Sequence, residues 1–440
     1  MIKYIKIKKI IFRTILLVTG IITLFVFIIL SPYLWKHFIT YPSLENQKDE
    51  ILNSYKQPEK FISLNEYKGV FHMHSYWSHD SRGTLEEILP AAKKAGFSFL
   101  FFSDHARSKQ DTFPRSISGV YEGILFEPGT ESSSGLMISP LDTTILDWTK
   151  DQDSLINEIV LNNGLVIYVH TEREHNWNNP DFQAMEIYNI HTDYLDKNDG
   201  LFSIIINLLI NGSKYHHWVI REIYDEQTDI LLNWDNLNKN RRITGVAAVD
   251  AHNNQSIRAK YLPDEKIEWV GPNAKTMSID EPGILENILL DDSNKNGWAV
   301  KWEVDPYFIS FNHVANHVFS DSLSSLSIKN NLVKGHAFIS FQSLAKADGF
   351  QFFSVDKNNS VNAILGDSIK VENASKLKAV SPYPVKFELI KDGKILISTE
   401  NEYLFEYGNT ITKGNYRIVA KLNFNDQWVS WVFTNPIYIY

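Results

Sequence analysis

The sequence predicts an α/β protein: a parallel barrel-type domain, preceded by a membrane-spanning helix and followed by a small β-sandwich. Three observations carry this reading. A charge-free apolar run opens the chain, and from Gly349 onward only short strand-like runs with turn residues remain. Between them, from Gly69, strand-like and helix-like stretches alternate over about 190 residues, the pattern of parallel α/β units.

The opening "MIKYIKIKKIIFR" is basic, and Thr14–Leu30 carries no charge. With the apolar residues that flank it, up to Trp35, the run reaches about 20 residues, enough to cross ~30 Å of hydrocarbon as a helix. A cleaved signal peptide has a shorter apolar region and a small-residue cleavage site, and none follows Leu30. Five bases precede the run and only Lys36 stands just after it, which places the N-terminus in the cytoplasm. Residues 1–13 are therefore expected to be cytoplasmic and 14–35 to be a single-pass anchor in the cell membrane. Everything beyond is expected outside the cytoplasm, with Tyr33 and Trp35 at the far interface.

Residues 36–67 are polar and mixed in charge, and read as a stalk, a linker or a short helix. The barrel domain is assigned to 68–348. "GVFHMHS" reads as a strand, "TLEEILPAAKKAG" as a helix stopped by glycine, and "FSFLFFSDH" as a strand. "EGILFEPGTES", "LVIYVHTE", "QAMEIYNIH" and "ITGVAAVDAHNN" read as strands. "DQDSLINEIVLNNG", "DGLFSIIINLLING" and "EQTDILLNWDNLNKN" read as helices, and 256–348 as an irregular extension. Residues 349–440 are assigned to the sandwich, with an Asp-Gly hairpin signal in "LIKDGKIL".

The chain has 440 residues, no cysteine and a net charge of −9. Beyond residue 40 there are 37 Lys/Arg against 52 Asp/Glu, a net of −15. Such an acidic body disfavours nucleic acid, whose binding rests on phosphate neutralisation. Without thiolates, any metal must be held by His, Asp and Glu.

Those residues fall at the carboxyl ends of the expected strands: His72 and His74, Asp104 and His105, Glu131, His170, Glu186 and His191, and Asp250 and His252. In a parallel barrel these ends meet on one face. His72 and His74 are two apart, so an extended strand points both imidazoles to one side, as two ligands of one cation require. His175, His216, His217, His313, His317 and His336 stand alone and read as ordinary hydrogen-bonded histidines.

"HMHSYWSHDSRG", "SDH", "GTE", "VH" and "DAH", in this order, resemble the motifs of the PHP (polymerase and histidinol phosphatase) superfamily of metal-dependent hydrolases, across roughly residues 68–255. The resemblance implies a distorted seven-stranded β/α barrel holding two or three divalent ions. By position, it implies His72, His74, Glu131 and Asp250 on one ion. Glu131 bridges to a second ion held also by His170, and Asp80, His105 and His252 hold a third. Asp104 is expected to orient neighbouring groups and His79 to be a bystander. The family often places a further histidine shortly after the bridging Glu, where this chain has Leu136. The second ion site is then weak, empty, or completed by His191.

His and carboxylate ligands suit Zn, Mn or Fe. Clustered divalent ions activate water and clamp phosphoryl oxygens without a side-chain nucleophile. Arg82 and Arg173 are candidates for contacting phosphate, an ordinary surface charge being the competing reading of each. The expectation is a membrane-anchored metal-dependent hydrolase, a phosphoesterase acting on a phosphorylated small molecule or an envelope glycan or lipid. The alternatives are an ester or amide hydrolase of the same barrel type, and a non-catalytic, metal-containing envelope binding module.

Overall fold

The protein is described here by a computed structural model covering residues 2–105, 115–132, 135–141, 146–147, 150–196, 201–283, 297–408 and 410–440. Its first helix, α1 (Ile2–Trp35), contains Pro32. Proline has no N–H to donate to the carbonyl four residues back. That acceptor, Ile28 O, takes the Ser31 hydroxyl instead, at 2.9 Å. The residues from Ile11 to Ile28 are exposed around the helix. Apolar and exposed over that stretch, the helix is long and apolar enough to cross a membrane.

Beyond Trp35 the helix does not stop. It passes through a π-helical turn, Lys36–Thr40, into α2 (Tyr41–Asn53). The segment read as a stalk or short helix is thus a helix docked on the body. Tyr41 is fully buried, its hydroxyl donates to Glu222 at 2.8 Å, and Trp218 Nε1 donates to Glu45 at 2.9 Å.

Among the described residues, nine strands frame the next part: β1 (Asn65–Met73), β2 (Phe99–Phe101), β3 (Gly119–Tyr121), β4 (Ile124–Glu127), β5 (Thr130–Ser132), β6 (Leu136–Ser139), β7 (Leu165–Tyr168), β8 (Ala184–Asn189) and β9 (Thr244–Ala251). Between them lie α3 (Leu85–Ala95), α4 (Gln152–Leu161), α5 (Ile190–Asp196), α6 (Leu201–Arg221) and α7 (Thr228–Asn238). Thr84 opens α3 with a capping box and Gly96, at φ 74°, closes it. Six strands pair in parallel in the order β4-β2-β1-β9-β8-β7.

The expected distorted seven-stranded β/α barrel is not shown: the ladder mixes parallel and antiparallel strands. β6 runs antiparallel to β7, β5 to β6, and β3 to β4. Connection length accounts for two of these pairs: three residues join β5 to β6 and two join β3 to β4, enough for hairpins, whereas a parallel crossover needs a dozen or more. The sheet is tightly built around β1. A Cβ on Gly69 would stand 2.1 Å from Phe99 O, so only glycine lets β2 lie there.

Residues 256–303, expected to be irregular, contain an antiparallel sheet of β10 (Ser256–Tyr261), β11 (Ile267–Val270), β12 (Thr276–Asp280) and β13 (Trp298–Glu303), in the order β12-β11-β10-β13. β14 (Ala315–Ser320) then pairs with the first half of β1, β15 (Ala337–Ser340) with β14, and Gln427–Thr434 with β15. The C-terminal strands are therefore hydrogen-bonded into the same sheet system as β1. Their hairpin turns at Asp392 and Gly393, both at positive φ, between Lys391 and Lys394.

Candidate metal centre

Among the described residues, the carboxyl ends of β1, β2, β5, β7 and β9 bring eight donor side chains together in two groups. His72, Glu131, His170 and Asp250 form one. His74, Asp80, His105 and His252 form the other. Within each group the donor atoms lie within 4.8 Å of one another. Three of these residues sit in the left-handed region that non-glycine residues avoid: His72 at φ 62°, His170 at 53° and Asp250 at 44°. Each such residue costs of order 1–3 kcal/mol, and such strain collects at functional sites. At His72 the ladder to β9 also slips register between Phe71 and Met73.

Four of the five imidazoles are oriented alike. His72 Nδ1 donates to Glu186 Oε1 at 2.6 Å, His252 Nδ1 to Asp250 O at 2.8 Å, and His105 Nδ1 to Glu131 O at 3.3 Å. Ser78 Oγ donates to Asp80 Oδ1, which leaves it to accept from His74 Nδ1 at 3.2 Å. These bonds fix the tautomer and turn each Nε2 toward a carboxylate. His72 Nε2 is 2.9 Å from Glu131 Oε2 and 3.0 Å from Asp250 Oδ1. His74 Nε2 is 3.3 and 3.2 Å from the same two atoms. His170 Nε2 stands 3.3 Å from Glu131 Oε1, and His252 Nε2 3.2 Å from Asp80 Oδ2. His105 Nε2 lies 3.6 Å from Glu131 Oε2 and 3.8 Å from Asp80 Oδ2.

A neutral imidazole whose Nδ1 carries the proton offers a lone pair at Nε2, and a carboxylate offers only lone pairs. Brought to this spacing, they need a cation between them. Asp250 Oδ1 makes the point directly: it is buried and forms no hydrogen bond, although two imidazoles face it. Donors bound at about 2.1 Å to one ion stand about 3.0–3.4 Å apart, the spacing seen here. The residues fit divalent metal.

Electrostatics agree. Burial opposes charge on His72, yet the carboxylates of Asp250, Glu131 and Glu186 outweigh it and raise its pKa well above the ordinary value. By the same contest His74 is pushed up to about 9, through Asp250 and Glu131. His170 is pushed up to about 10, through Glu131 and Glu172. Against burial, His72 holds Glu131 and Asp250 well below the usual carboxylate range. Burial lowers His105 and His191. The cluster therefore binds positive charge strongly, as protons or as metal ions.

His191, at the start of α5, lies outside both groups. It is 42% exposed, with Nδ1 3.8 Å from Asp250 Oδ2. Leu136 is buried in β6 opposite Tyr168, in the hydrophobic core. Asp104 is buried and accepts from Ser75 N at 2.6 Å, Ser75 Oγ at 2.8 Å and Ser116 Oγ at 3.0 Å, which ties down the loop after His74. Arg82 is committed to Ala274 O, Thr276 and Glu268, drawn there by the β10–β13 sheet. Arg173 is half exposed beside Glu172. Neither guanidinium is among the groups that meet in the two clusters.

Glu186, one of the strand-end acids but assigned to no ion, also accepts from His170 N at 2.8 Å and Asn189 Nδ2 at 3.0 Å. The sequence reading did not single out Ser78 or Tyr307, whose hydroxyl donates to His74 O at 2.6 Å. A Cβ on Gly83 would lie 1.8 Å from that hydroxyl, so glycine is required for the contact. Asp80, His191, Asp250 and His252 open onto a cavity of about 500 Å³, whose rim carries Lys275.

No family model matches the chain, and no curated protein matches it. Among solved structures it aligns with a two-domain protein from Bacteroides vulgatus ATCC 8482 that contains a predicted PHP-like metal-dependent phosphoesterase. The identity is 11% and the TM-score 0.35, over 87% of this chain and 98% of that chain.

Proposed function

We propose that this chain is a membrane-anchored, divalent-metal-dependent phosphoesterase of PHP type, working outside the cytoplasm. One observation carries the reading: five imidazole Nε2 atoms and three carboxylates converge, with the protons of four imidazoles committed behind them. His72, Glu131, His170 and Asp250 would hold one ion, and His74, Asp80, His105 and His252 another, of the Zn, Mn or Fe class. Bound ions supply a water of lowered pKa and neutralise phosphoryl oxygens. The chain's own part is placement: Glu186 and Ser78 fix the imidazoles, and Lys275 draws an anion toward the cavity mouth. α1 is the proposed anchor, its basic end cytoplasmic.

The test uses purified full-length protein, its metals counted by mass spectrometry, against p-nitrophenyl phosphate, bis-p-nitrophenyl phosphate and p-nitrophenyl acetate. Asp250→Asn should lose metal and turnover. Metal-free, inactive wild-type protein after loading with Mn²⁺ sinks the proposal, and acetate turnover alone makes it an esterase. An alkaline phosphatase fused after residue 60 should be active in a bacterial host; an inactive fusion overturns the orientation.

A further inference from the structure

The cavity at the metal centre has two unlike walls. Beside Asp80, Asp250 and His252, its lining includes Ile190, Leu208, Ile220, Ile223 and Ile309. It shares Leu208, Gln255 and Val304 with a second cavity of about 440 Å³, lined further by Ile205, Leu209, Ile257 and Trp302. The two adjoin along α6 and are taken together as one channel. The charged residue lining the second cavity, Glu303, is neutralised by Arg258 and Lys301 at 2.8 and 3.1 Å. Burial pushes His216, in the same lining, down to about 4, so it is neutral.

The opposite face of α6 packs on the base of the anchor helix. Ser203 meets Tyr33 at 2.9 Å, Asn207 meets Tyr41 at 2.7 Å, and Asn211 meets His37 at 2.8 Å. At 3.6 residues per turn, positions 203, 207 and 211 share one side, and 205, 208, 209 and 212 the other. With α1 as the anchor, α6 would lie where it leaves the bilayer. The channel mouth leaves Leu209 63% exposed, Trp302 47%, Ile205 40% and Ile257 39%. A contiguous apolar patch at the level of a membrane surface fits hydrocarbon, not water.

We propose that the substrate is a membrane lipid with a phosphoester head: the head meets the metal centre and one hydrocarbon chain lies along α6. This rests on the phosphoesterase and anchor readings above.

The test places Mn²⁺-loaded full-length protein in phosphatidylcholine vesicles doped with phosphatidic acid or phosphatidylglycerol, with p-nitrophenyl phosphate as the soluble substrate. Leu209→Glu and Ile205→Glu, both at exposed positions, put charge into the channel mouth. Each should cut lipid turnover at least about tenfold and leave p-nitrophenyl phosphate turnover unchanged, because a charge in an apolar site is costly. Leu209→Phe should keep lipid turnover. Soluble turnover without lipid turnover in the wild type, or lipid turnover untouched by both Glu variants, overturns the lipid assignment. Loss of both activities in the loaded wild type overturns the phosphoesterase reading beneath it.

Discussion

Glu186→Gln should weaken metal binding without removing a ligand. The carboxylate is buried and serves three donors: Oε1 accepts from His72 Nδ1 at 2.6 Å, and Oε2 from His170 N and Asn189 Nδ2. An amide has one oxygen, so its NH₂ must face either His72 or the His170–Asn189 pair, donor against donor. One buried hydrogen bond lost costs about 1–3 kcal/mol, and at 1.36 kcal/mol per tenfold that is about 5- to 150-fold in affinity. Partners behind metal-binding histidines are typically worth about 10- to 100-fold. The assay is calorimetric titration of Mn²⁺ into wild type and variant, with circular dichroism confirming that both are folded. Glu172→Gln is the internal control. Glu172 lies 3.5 Å from His170 Nδ1 with a 22% exposed side chain, so its loss should cost less. Equal affinity in wild type and Glu186→Gln would refute the view that Glu186 sets the His72 lone pair.

Metal affinity should rise with pH. His74 and His170, raised to about 9 and about 10, hold protons in the ion-free protein at neutral pH. Their contribution to ion-free stability is present below the ordinary imidazole value and lost as pH rises through 9–10. An ion must displace those protons, so affinity should change about tenfold per pH unit for each proton released. Titrations in buffers of different ionisation enthalpy should read at least one proton per ion, and none would exclude this linkage. Acid should destabilise the fold through His313, which burial pushes down to about 3 beside Tyr188. The unfolded chain takes that proton near 6.5, so stability is complete above 6.5 and is lost as pH falls toward 3. The loss is roughly 2–3 kcal/mol by pH ~4.5. Thermal melts of His313→Gln should depend less on pH over that window than those of wild type, and parallel curves would refute it.

The order of strands and helices was legible because short connections and alternating periodicity leave few other arrangements. Three things were not. The period-two rule puts His72 and His74 on one side of a flat strand, but His72 is left-handed, and His74 joins Asp80, His105 and His252 rather than the group of His72. Dihedrals of that kind leave no mark in a histidine's identity. Glu186 sits in "QAMEIYNIH", where it reads as one polar residue of a strand; its role depends on β1 and β7 arriving beside it. Arg82 follows Asp80 closely enough to suggest anion binding, yet Glu268, 186 residues further on, neutralises it from a sheet that the sequence did not reveal. Local pattern predicts faces. Charge partners are chosen by topology.

The strained backbone at His170 can be measured apart from its side chain. His170→Ala and His170→Gly both delete the ring, the Glu131 contact and any metal ligation, so they differ in the backbone alone. At φ 53° alanine keeps a penalty of about 1–2 kcal/mol that glycine escapes. Glycine in turn loses more chain entropy on folding, by roughly 0.5–1 kcal/mol. The balance favours His170→Gly by about 0.5–1 kcal/mol. Alanine ordinarily outranks glycine, so the expected order is inverted. Urea melts of the two metal-free variants read it directly. A more stable alanine variant would show that the chain after β7 relaxes once the imidazole is gone, and that the left-handed turn is held by the His170 contacts themselves. The inverted order would show instead that the turn is built into the sheet, so that the imidazole is aimed at Glu131 before any ion arrives.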